Sequence, residues 1–150
     1  MIINEMRLDF PARSENEAFA RIAVSGFMLP LNPTMEELAD VKTSVSEAVT
    51  NAIIHGYRGG PGTVRLHALY TDEGELRIDV IDQGCGIADI ARARQPFFTT
   101  DAGEERSGMG FTVMESFMDS LDVRSAVGKG TTVRLTKRIL AREDALPRRA

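Results

Sequence analysis

The sequence contains few residues that can form covalent cross-links or stack on a flat ligand. It has one cysteine, no tryptophan and 6% aromatic residues. The single cysteine, Cys85, excludes an intramolecular disulfide and is typical of proteins in a reducing cytoplasm. The scarcity of aromatic side chains argues against a surface that stacks on sugars or on bases.

Long hydrophobic runs and a basic surplus are also missing. No uncharged apolar stretch approaches the ~20 residues that a membrane helix needs. Near the N-terminus, Glu5, Arg7 and Asp9 stand where a signal peptide would be apolar. The net charge is −4 and the pI is about 5.2, whereas nucleic-acid-binding domains are usually basic. We therefore expect a cytoplasmic protein that binds no membrane and makes no direct contact with nucleic acid.

The composition is that of a globular protein. The 150 residues are 43% hydrophobic and 27% charged, a balance typical of globular domains. A chain of this length can bury enough surface to fold without a structural metal ion or a disulfide. We expect a single domain over residues 1–140. The charged segment 141–150 is expected to be a flexible tail.

Hydrophobic periodicity predicts the order strand, helix, helix, strand pair, irregular loop, helix, strand pair. Sequences typical of capping boxes at Ser14 and Thr34 begin the first two helices, which extend to about Met28 and His55, with Gly56 ending the second. The predicted strands are 4–10, 63–70, 75–82, 121–127 and 131–138, and the last helix is 112–120. This order favours an α+β fold: a two-layer α/β sandwich with a mixed, mostly antiparallel sheet covered on one face by helices.

The second predicted helix carries a polar stripe. Glu47, Asn51 and His55 are spaced four apart, so each lies ~40° around and ~6 Å along the helix from the last. A solvated helix face is the simpler interpretation of such a trio. The neighbouring positions, however, are strongly apolar and indicate a mostly buried helix. A carboxylate, a carboxamide and an imidazole there suit a base, a metal ligand and a polar anchor.

A glycine-containing turn follows the third predicted strand. Asp82 stands at the strand end, and Gly84 and Gly86 allow a sharp turn and the close approach of a flat ligand. The carboxylate of Asp82 can accept a hydrogen bond from an exocyclic amine. Taken alone, this pattern also fits an ordinary Asp/Gly turn.

The segment 95–110 is long and irregular, which in a compact domain usually indicates a functional loop such as a lid. Its end, Arg106-Ser107-Gly108-Met109-Gly110, leads into a helix, and glycines before a helix N-terminus form an anion site. A flexible hinge is the alternative. Upstream, Phe97-Phe98-Thr99-Thr100 combines an apolar latch with two hydroxyls, although hydrophobic docking of the loop explains it equally.

The last predicted hairpin contains Gly128-Lys129-Gly130-Thr131. Alone, this is a turn and nothing more. If Thr131 and Asp82 lie on neighbouring strands, the threonine hydroxyl can share an adenine or its bound water.

Together, these segments resemble the GHKL nucleotide-binding fold of histidine kinases, gyrase-type ATPases and heat-shock chaperone ATPases. Residues 46–57 are similar to its N-box, 82–87 and 108–110 to its two glycine boxes, and 128–131 to its closing box. The Glu-Ala-x-x-Asn-Ala-x-x-His-Gly form, the Phe-Phe-Thr-Thr lid and the Arg-Ser-Gly-Met-Gly-Phe exit resemble, more narrowly, the anti-sigma serine kinases of endospore-forming bacteria. The resemblance extends from Asn4 to about Lys137.

The resemblance implies a role for each motif. Asn51 would coordinate Mg²⁺ bridging the ATP phosphates, and Glu47 would take the proton from a substrate serine. Asp82 would read the adenine amine, with Thr131 beside it. The lid, from Thr99 to Gly110, would wrap the phosphates. The implied nucleotide-binding residues are Asn51, His55, Gly56, Asp82, Gly84, Gly86, Ile87, Thr99, Thr100, Arg106, Ser107, Gly108, Met109, Gly110 and Thr131.

The function that the resemblance implies is that of an ATP-dependent protein-serine kinase and anti-sigma factor. Such a protein is a homodimer that binds a sporulation sigma factor of the sigma-F type and phosphorylates an anti-anti-sigma factor on serine. The alternative is a nucleotide-switched binding module without catalysis, which would need Asn51 and Asp82 but no base at Glu47. A histidine-kinase module is disfavoured because only about 13 residues precede the first predicted helix. A gyrase-type ATPase would need a further transducer domain.

Overall fold

A computed structural model describes residues 1–96 and 110–139. A short 3-10 turn, Leu29–Leu31, follows the first helix, and a π-helical segment, Ala52–Gly56, continues the second. The strands and α-helices are β1 (Ile2–Pro11), α1 (Glu15–Met28), α2 (Met35–Asn51), β2 (Thr63–Thr71), β3 (Glu75–Asp82), α3 (Ile90–Ala93), α4 (Gly110–Phe117), β4 (Ser120–Ala126) and β5 (Gly130–Arg138).

The strands form one five-stranded sheet in the order β1-β2-β3-β5-β4. The α+β class is confirmed, but the expectation of a mixed sheet is wrong, because every pairing between the described strands is antiparallel. The reason is the connectivity. The β2–β3 and β4–β5 hairpins each reverse direction through a short turn. β4 runs in the same direction as β3, so β5, which follows β4 in the second hairpin, runs antiparallel to β3.

The register of the sheet separates an apolar face from a charged one. On the apolar face, side chains directly opposite one another form rows across the strands. Two of these rows are Met6, Ala68, Ile78, Leu135 and Leu121, and Leu8, Leu66, Val80, Val133 and Val123. They pack into the core with buried residues of α1, α2 and α4. The helices therefore cover this face. A polar side chain at the end of one of its rows lies next to a helix.

The other face of the sheet carries cross-strand ion pairs. Arg134 forms two hydrogen bonds to Asp79, at 2.8 and 3.0 Å, and Arg65 does the same to Asp9, at 2.9 and 3.0 Å. Opposite charges on facing strands help to fix the register. No helix in the described residues is both long enough and apolar enough to cross a membrane.

The two predicted capping boxes have different outcomes. At Thr34 the box is present, because its side chain accepts from the Glu37 amide and the Glu37 carboxylate accepts from the Thr34 amide. At Ser14 the prediction is wrong, since Ser14 has helical backbone angles and its side chain makes no capping bond. The Glu17 carboxylate, which would have completed that box, instead accepts a hydrogen bond from Ser46 on α2.

This difference predicts unequal effects of two similar substitutions. We expect Thr34→Ala to lower the free energy of unfolding by about 1 kcal/mol, the usual cost of losing a helix N-cap. Ser14→Ala removes the hydroxyl of an uncapped residue and is expected to change stability by less than about 0.5 kcal/mol. Urea denaturation of both variants measures the two values, and equal losses would contradict the assignment of the caps.

Other boundaries differ in detail. The last helix begins two residues earlier and ends three residues earlier than predicted, because Ser120 pairs with Thr136 in the sheet. The Lys137 ammonium also donates to the Phe117 carbonyl at 2.7 Å, which satisfies an orphan acceptor at that helix end. The predicted lid lies largely outside the described residues, and the predicted tail entirely so.

Candidate nucleotide site

The start of α4 lies against the polar stripe of α2. A Cβ placed on Gly110 would lie 3.2 Å from Glu47 Oε2 and 3.9 Å from both amide atoms of Asn51. Glu47 and Asn51 are half-buried there. The structure therefore brings a carboxylate, a carboxamide and a helix N-terminus together, from segments about 60 residues apart in the sequence.

The end of the second helix contacts the turn after β3. The helical path stops at Gly56 as predicted, but its last segment is π-helical, and Gly56 does not have the positive φ of a usual glycine stop. It is needed for another reason, because a Cβ there would come within 2.8 Å of the Asp82 carboxylate. The lack of a side chain lets Asp82 pack directly against this helix end.

His55 is joined to the same turn through its backbone. Its carbonyl accepts a hydrogen bond from the Cys85 thiol at 3.2 Å, and the Gly56 carbonyl accepts from the Cys85 amide at 2.8 Å. Asn51 ends α2, whereas His55 lies within the π-helical segment Ala52–Gly56, so the three members of the predicted stripe are not consecutive steps on one regular α-helix. The structure groups Glu47 and Asn51 with Gly110, and places the His55 backbone beside the turn at Cys85.

Asp82 is the buried carboxylate of this region, with 6% of its surface exposed. It pairs in register with Thr131 on β5, as the sequence suggested. Its side chain accepts from the Gly84 amide at 2.9 Å. Burial raises the pKa of the Asp82 carboxyl, and hydrogen bonds from the Gly84 and Thr131 amides oppose that rise. A buried acceptor with remaining lone pairs is suited to bind a hydrogen-bond donor of a ligand.

Close backbone approaches explain the glycines around Asp82. A Cβ on Gly84 would lie 2.1 Å from the Gly56 carbonyl oxygen. Gly86 has a φ of +76°, and a Cβ there would lie 2.1 Å from the Ala126 carbonyl oxygen. These two glycines let the turn pack closely between the π-helical segment and the β4–β5 hairpin. The turn therefore contacts two other elements and is not an ordinary surface turn.

Ser125 on β4 also belongs to this site, although the sequence does not single it out. Its hydroxyl oxygen accepts from the Ile87 amide at 2.7 Å and lies 2.8 Å from the Thr131 hydroxyl and 2.9 Å from the Gly130 carbonyl. Ser125 therefore ties the end of the glycine turn to the threonine beside Asp82. An alternating polar position on a predicted strand was its only signal, and that signal is common to most strands.

The predicted anion-binding loop lies mostly outside the described residues. Only Gly110 of the segment 99–110 is described. Thr99, Thr100, Arg106, Ser107, Gly108 and Met109 fall outside. Within residues 1–96 and 110–139, no group of three or more His, Cys, Asp or Glu side chains is arranged to hold a metal ion.

Comparison with known proteins places these features in a family. Residues 10–137 match the family described as "Histidine kinase-like ATPase domain". The chain is 56% identical over 143 residues to the anti-sigma F factor of Geobacillus kaustophilus, covering 95% of this chain and 97% of the relative. It is 53% identical to the anti-sigma F factor of Clostridium acetobutylicum, covering 96% of this chain and 100% of the relative. The chain belongs to the anti-sigma F factor family of histidine kinase-like ATPases.

Solved structures agree with this fold. The RsbU and RsbW domains of a Mycobacterium tuberculosis protein align with a TM-score of 0.66 at 21% identity, covering 91% of this chain and 32% of that chain. Full-length ShkA in complex with AMPPNP aligns with a TM-score of 0.57 at 25% identity, covering 75% and 24%. The description of the matching family as an ATPase domain supports ATP binding. The roles of individual residues in this chain remain predictions.

The raised pKa of Asp82 predicts how stability depends on pH. The folded state holds the Asp82 proton more tightly than the unfolded chain, whose carboxyl has the usual pKa of 3.8. The ionised carboxylate therefore destabilises the fold above its folded pKa, and this penalty disappears as the pH falls below 3.8. We expect the stability of Asp82→Asn relative to the parent protein to improve as the pH rises above 3.8, and to level off once the pH exceeds the raised pKa of Asp82 in the folded state. Urea denaturation without nucleotide measures this difference, and a difference that worsens with rising pH would contradict the assignment.

Proposed function

We propose that this protein is an ATP-dependent protein-serine kinase that also binds and inhibits a sporulation sigma factor of the sigma-F type. Its second protein partner is an anti-anti-sigma factor, which it phosphorylates on a serine. The family supports the anti-sigma role, since relatives named anti-sigma F factor are 53–56% identical along nearly the whole chain. The observation that carries the kinase activity is the contact of the α4 N-terminus at Gly110 with Glu47 and Asn51.

The nucleotide is held at two ends. Asp82 accepts from the adenine amine, and Thr131 and the Gly84–Gly86 turn lie beside the base. The phosphates lie toward the N-terminus of α4, where free amides and the helix dipole favour negative charge. In this proposal, Arg106 and the amides of residues 108–110 neutralise the phosphates, and Thr99 and Thr100 belong to the lid that encloses them.

The residues at Gly110 fit a magnesium site of the kind that ATP completes. Mg²⁺ takes oxygen ligands and is usually held by one or two protein groups together with substrate phosphates and water. Asn51 offers one neutral amide oxygen beside a helix N-terminus, and the described residues do not form a protein-only cage. When bound, Mg²⁺ would neutralise phosphate charge. Asn51 is the residue that would hold it.

Glu47 is the proposed general base. The hydroxyl oxygen of the substrate serine attacks the γ-phosphorus of ATP and forms a new O–P bond, and the bond from that phosphorus to the β–γ bridging oxygen breaks. ADP leaves with that electron pair, and the serine proton passes to the Glu47 carboxylate. Phosphoryl transfer depends mainly on positioning and charge stabilisation. The half-buried position of Glu47, next to Asn51 and Gly110, supports this role.

The proposed partner surface is α1. Its exposed side chains include Phe19 and Ile22, which are 51% and 66% exposed, and the same helix carries Arg21, paired with Glu17. Exposed apolar residues and arginine are both common in protein-binding surfaces. The proposed assembly is a cytoplasmic homodimer that binds the sigma factor across both subunits.

The test of this function is a transfer assay. Purified protein is incubated with Mg²⁺, γ-labelled ATP and the candidate anti-anti-sigma protein, and its serine-to-alanine variant serves as the control. We expect label on the parent substrate and none on the variant. Nucleotide-dependent sigma binding without any labelling would instead support the switched binding module.

A further inference from the structure

The peptide between Asp82 and Gln83 is held from both sides. On one side, the Gln83 amide donates to the Tyr57 hydroxyl oxygen at 2.7 Å. On the other, the backbone of Gly130 packs so closely that a Cβ there would lie 2.1 Å from the Asp82 carbonyl oxygen. Because the side chain of Asp82 branches from the Cα next to this peptide, the orientation of the peptide helps to fix the direction of the Asp82 carboxylate.

Tyr57 is itself fixed by three contacts. Its hydroxyl donates to the Thr63 carbonyl at 2.6 Å, at the start of β2. Its amide donates to the Ala52 carbonyl at 3.0 Å, which closes the π-helical segment. Its ring lies where a Cβ on Gly62 would come within 2.4 Å, so the absence of a side chain at Gly62 makes room for the phenol. The hydroxyl therefore joins the end of α2, the start of β2 and the turn after β3.

We infer that Tyr57 is a positioning residue for base selection, acting through Asp82. This inference rests on the proposed function, because it assumes that Asp82 reads adenine. The Gln83 amide lies at the surface, so water can replace the hydroxyl as its partner at little cost in stability. Water cannot fix the direction of the peptide as an anchored phenol does. Loss of the hydroxyl should therefore loosen the Asp82 carboxylate and reduce selectivity more than it reduces stability.

The experiment compares Tyr57→Phe with Tyr70→Phe. Tyr70 is the only other tyrosine in the sequence. Its hydroxyl oxygen accepts from the side-chain Nδ2 of Asn4 at 3.4 Å, on the β1–β2 pair and away from Asp82. Calorimetric titration with Mg²⁺-ATP and Mg²⁺-GTP gives the ratio of the two affinities for each protein. We expect Tyr57→Phe to lower the ATP-to-GTP ratio about fivefold, the usual effect of losing one hydrogen bond, and Tyr70→Phe to leave it unchanged.

An unchanged ATP-to-GTP ratio in Tyr57→Phe would overturn the inference, whether or not both affinities fall, because a merely structural residue would give that result. The proposed function fails separately, through a parent protein that shows no preference for ATP. A parent that prefers ATP while Tyr57→Phe keeps the full preference removes only the role of Tyr57.

A second measurement needs no nucleotide. Amide hydrogen exchange followed by NMR reports on the Gln83 amide directly. We expect this amide to exchange at least about fivefold faster in Tyr57→Phe, as loss of its hydrogen bond would permit, and at the parent rate in Tyr70→Phe. Unchanged exchange at Gln83 in Tyr57→Phe would overturn the inference whatever the binding data show.

Discussion

Replacing Glu47 with alanine is expected to lower the rate of phosphate transfer by ~10²–10⁴, the usual contribution of a general base. ATP affinity should stay within a few-fold of the parent value, because in this proposal Glu47 takes the proton of the substrate serine and is not one of the nucleotide-binding residues. Sigma binding should likewise persist. The measurement is a single-turnover assay with labelled ATP and the anti-anti-sigma substrate, alongside calorimetry of nucleotide binding.

Two further variants make this test sharper. Glu47→Gln keeps the size of the side chain beside Gly110 but removes its charge and its ability to take a proton, so it should lose nearly as much rate as Glu47→Ala. Glu36→Gln makes the same change at an exposed position in the first turn of the same helix, and should retain the parent rate. Transfer at the parent rate in Glu47→Gln would remove Glu47 from the role of base.

The fold was largely predictable because its signals are local. Alternation of apolar residues along each strand placed the strands within about two residues, and the Thr34 box gave the start of α2. The capping box predicted at Ser14 is not formed, because of a contact with another part of the chain. Its capping partner, Glu17, contacts Ser46 on α2 instead, and a contact between segments about 30 residues apart has no local pattern.

The candidate site shows the same division. Asp82 and Thr131 were expected to be neighbours, and the register of β3 and β5 pairs them. Tyr57 and Ser125 were missed, because each acts through a hydroxyl bonded to distant backbone, and hydroxyl residues are frequent in any sequence. Gly56 ends the helical path as predicted, but the need for a glycine there was not predictable, since only the packed structure shows that Asp82 occupies the space of its missing side chain.

Replacing Asp82 with asparagine is expected to reduce the preference for ATP over GTP. An ionised carboxylate accepts hydrogen bonds and donates none. Adenine presents an amine at its six-position, whereas guanine presents a carbonyl that would face the carboxylate acceptor to acceptor. Because unsatisfied buried polar groups cost ~1–3 kcal/mol and charged ones more, the parent protein should prefer ATP by roughly tenfold or more. Asparagine keeps the size, removes the charge and can donate to the guanine carbonyl.

Competition between ATP and GTP for both proteins measures the effect. In Asp82→Asn, ATP affinity should fall and GTP affinity should fall less or rise, so that most of the tenfold preference is lost. Asp79→Asn is a suitable control, because Asp79 is similarly buried, with 6% exposure, and lies on the same strand but pairs with Arg134 on the charged face of the sheet. That variant is expected to lose stability while keeping the nucleotide preference. A parent protein that binds both nucleotides equally, or an Asp82→Asn variant that keeps the full preference, would show that another group reads the base.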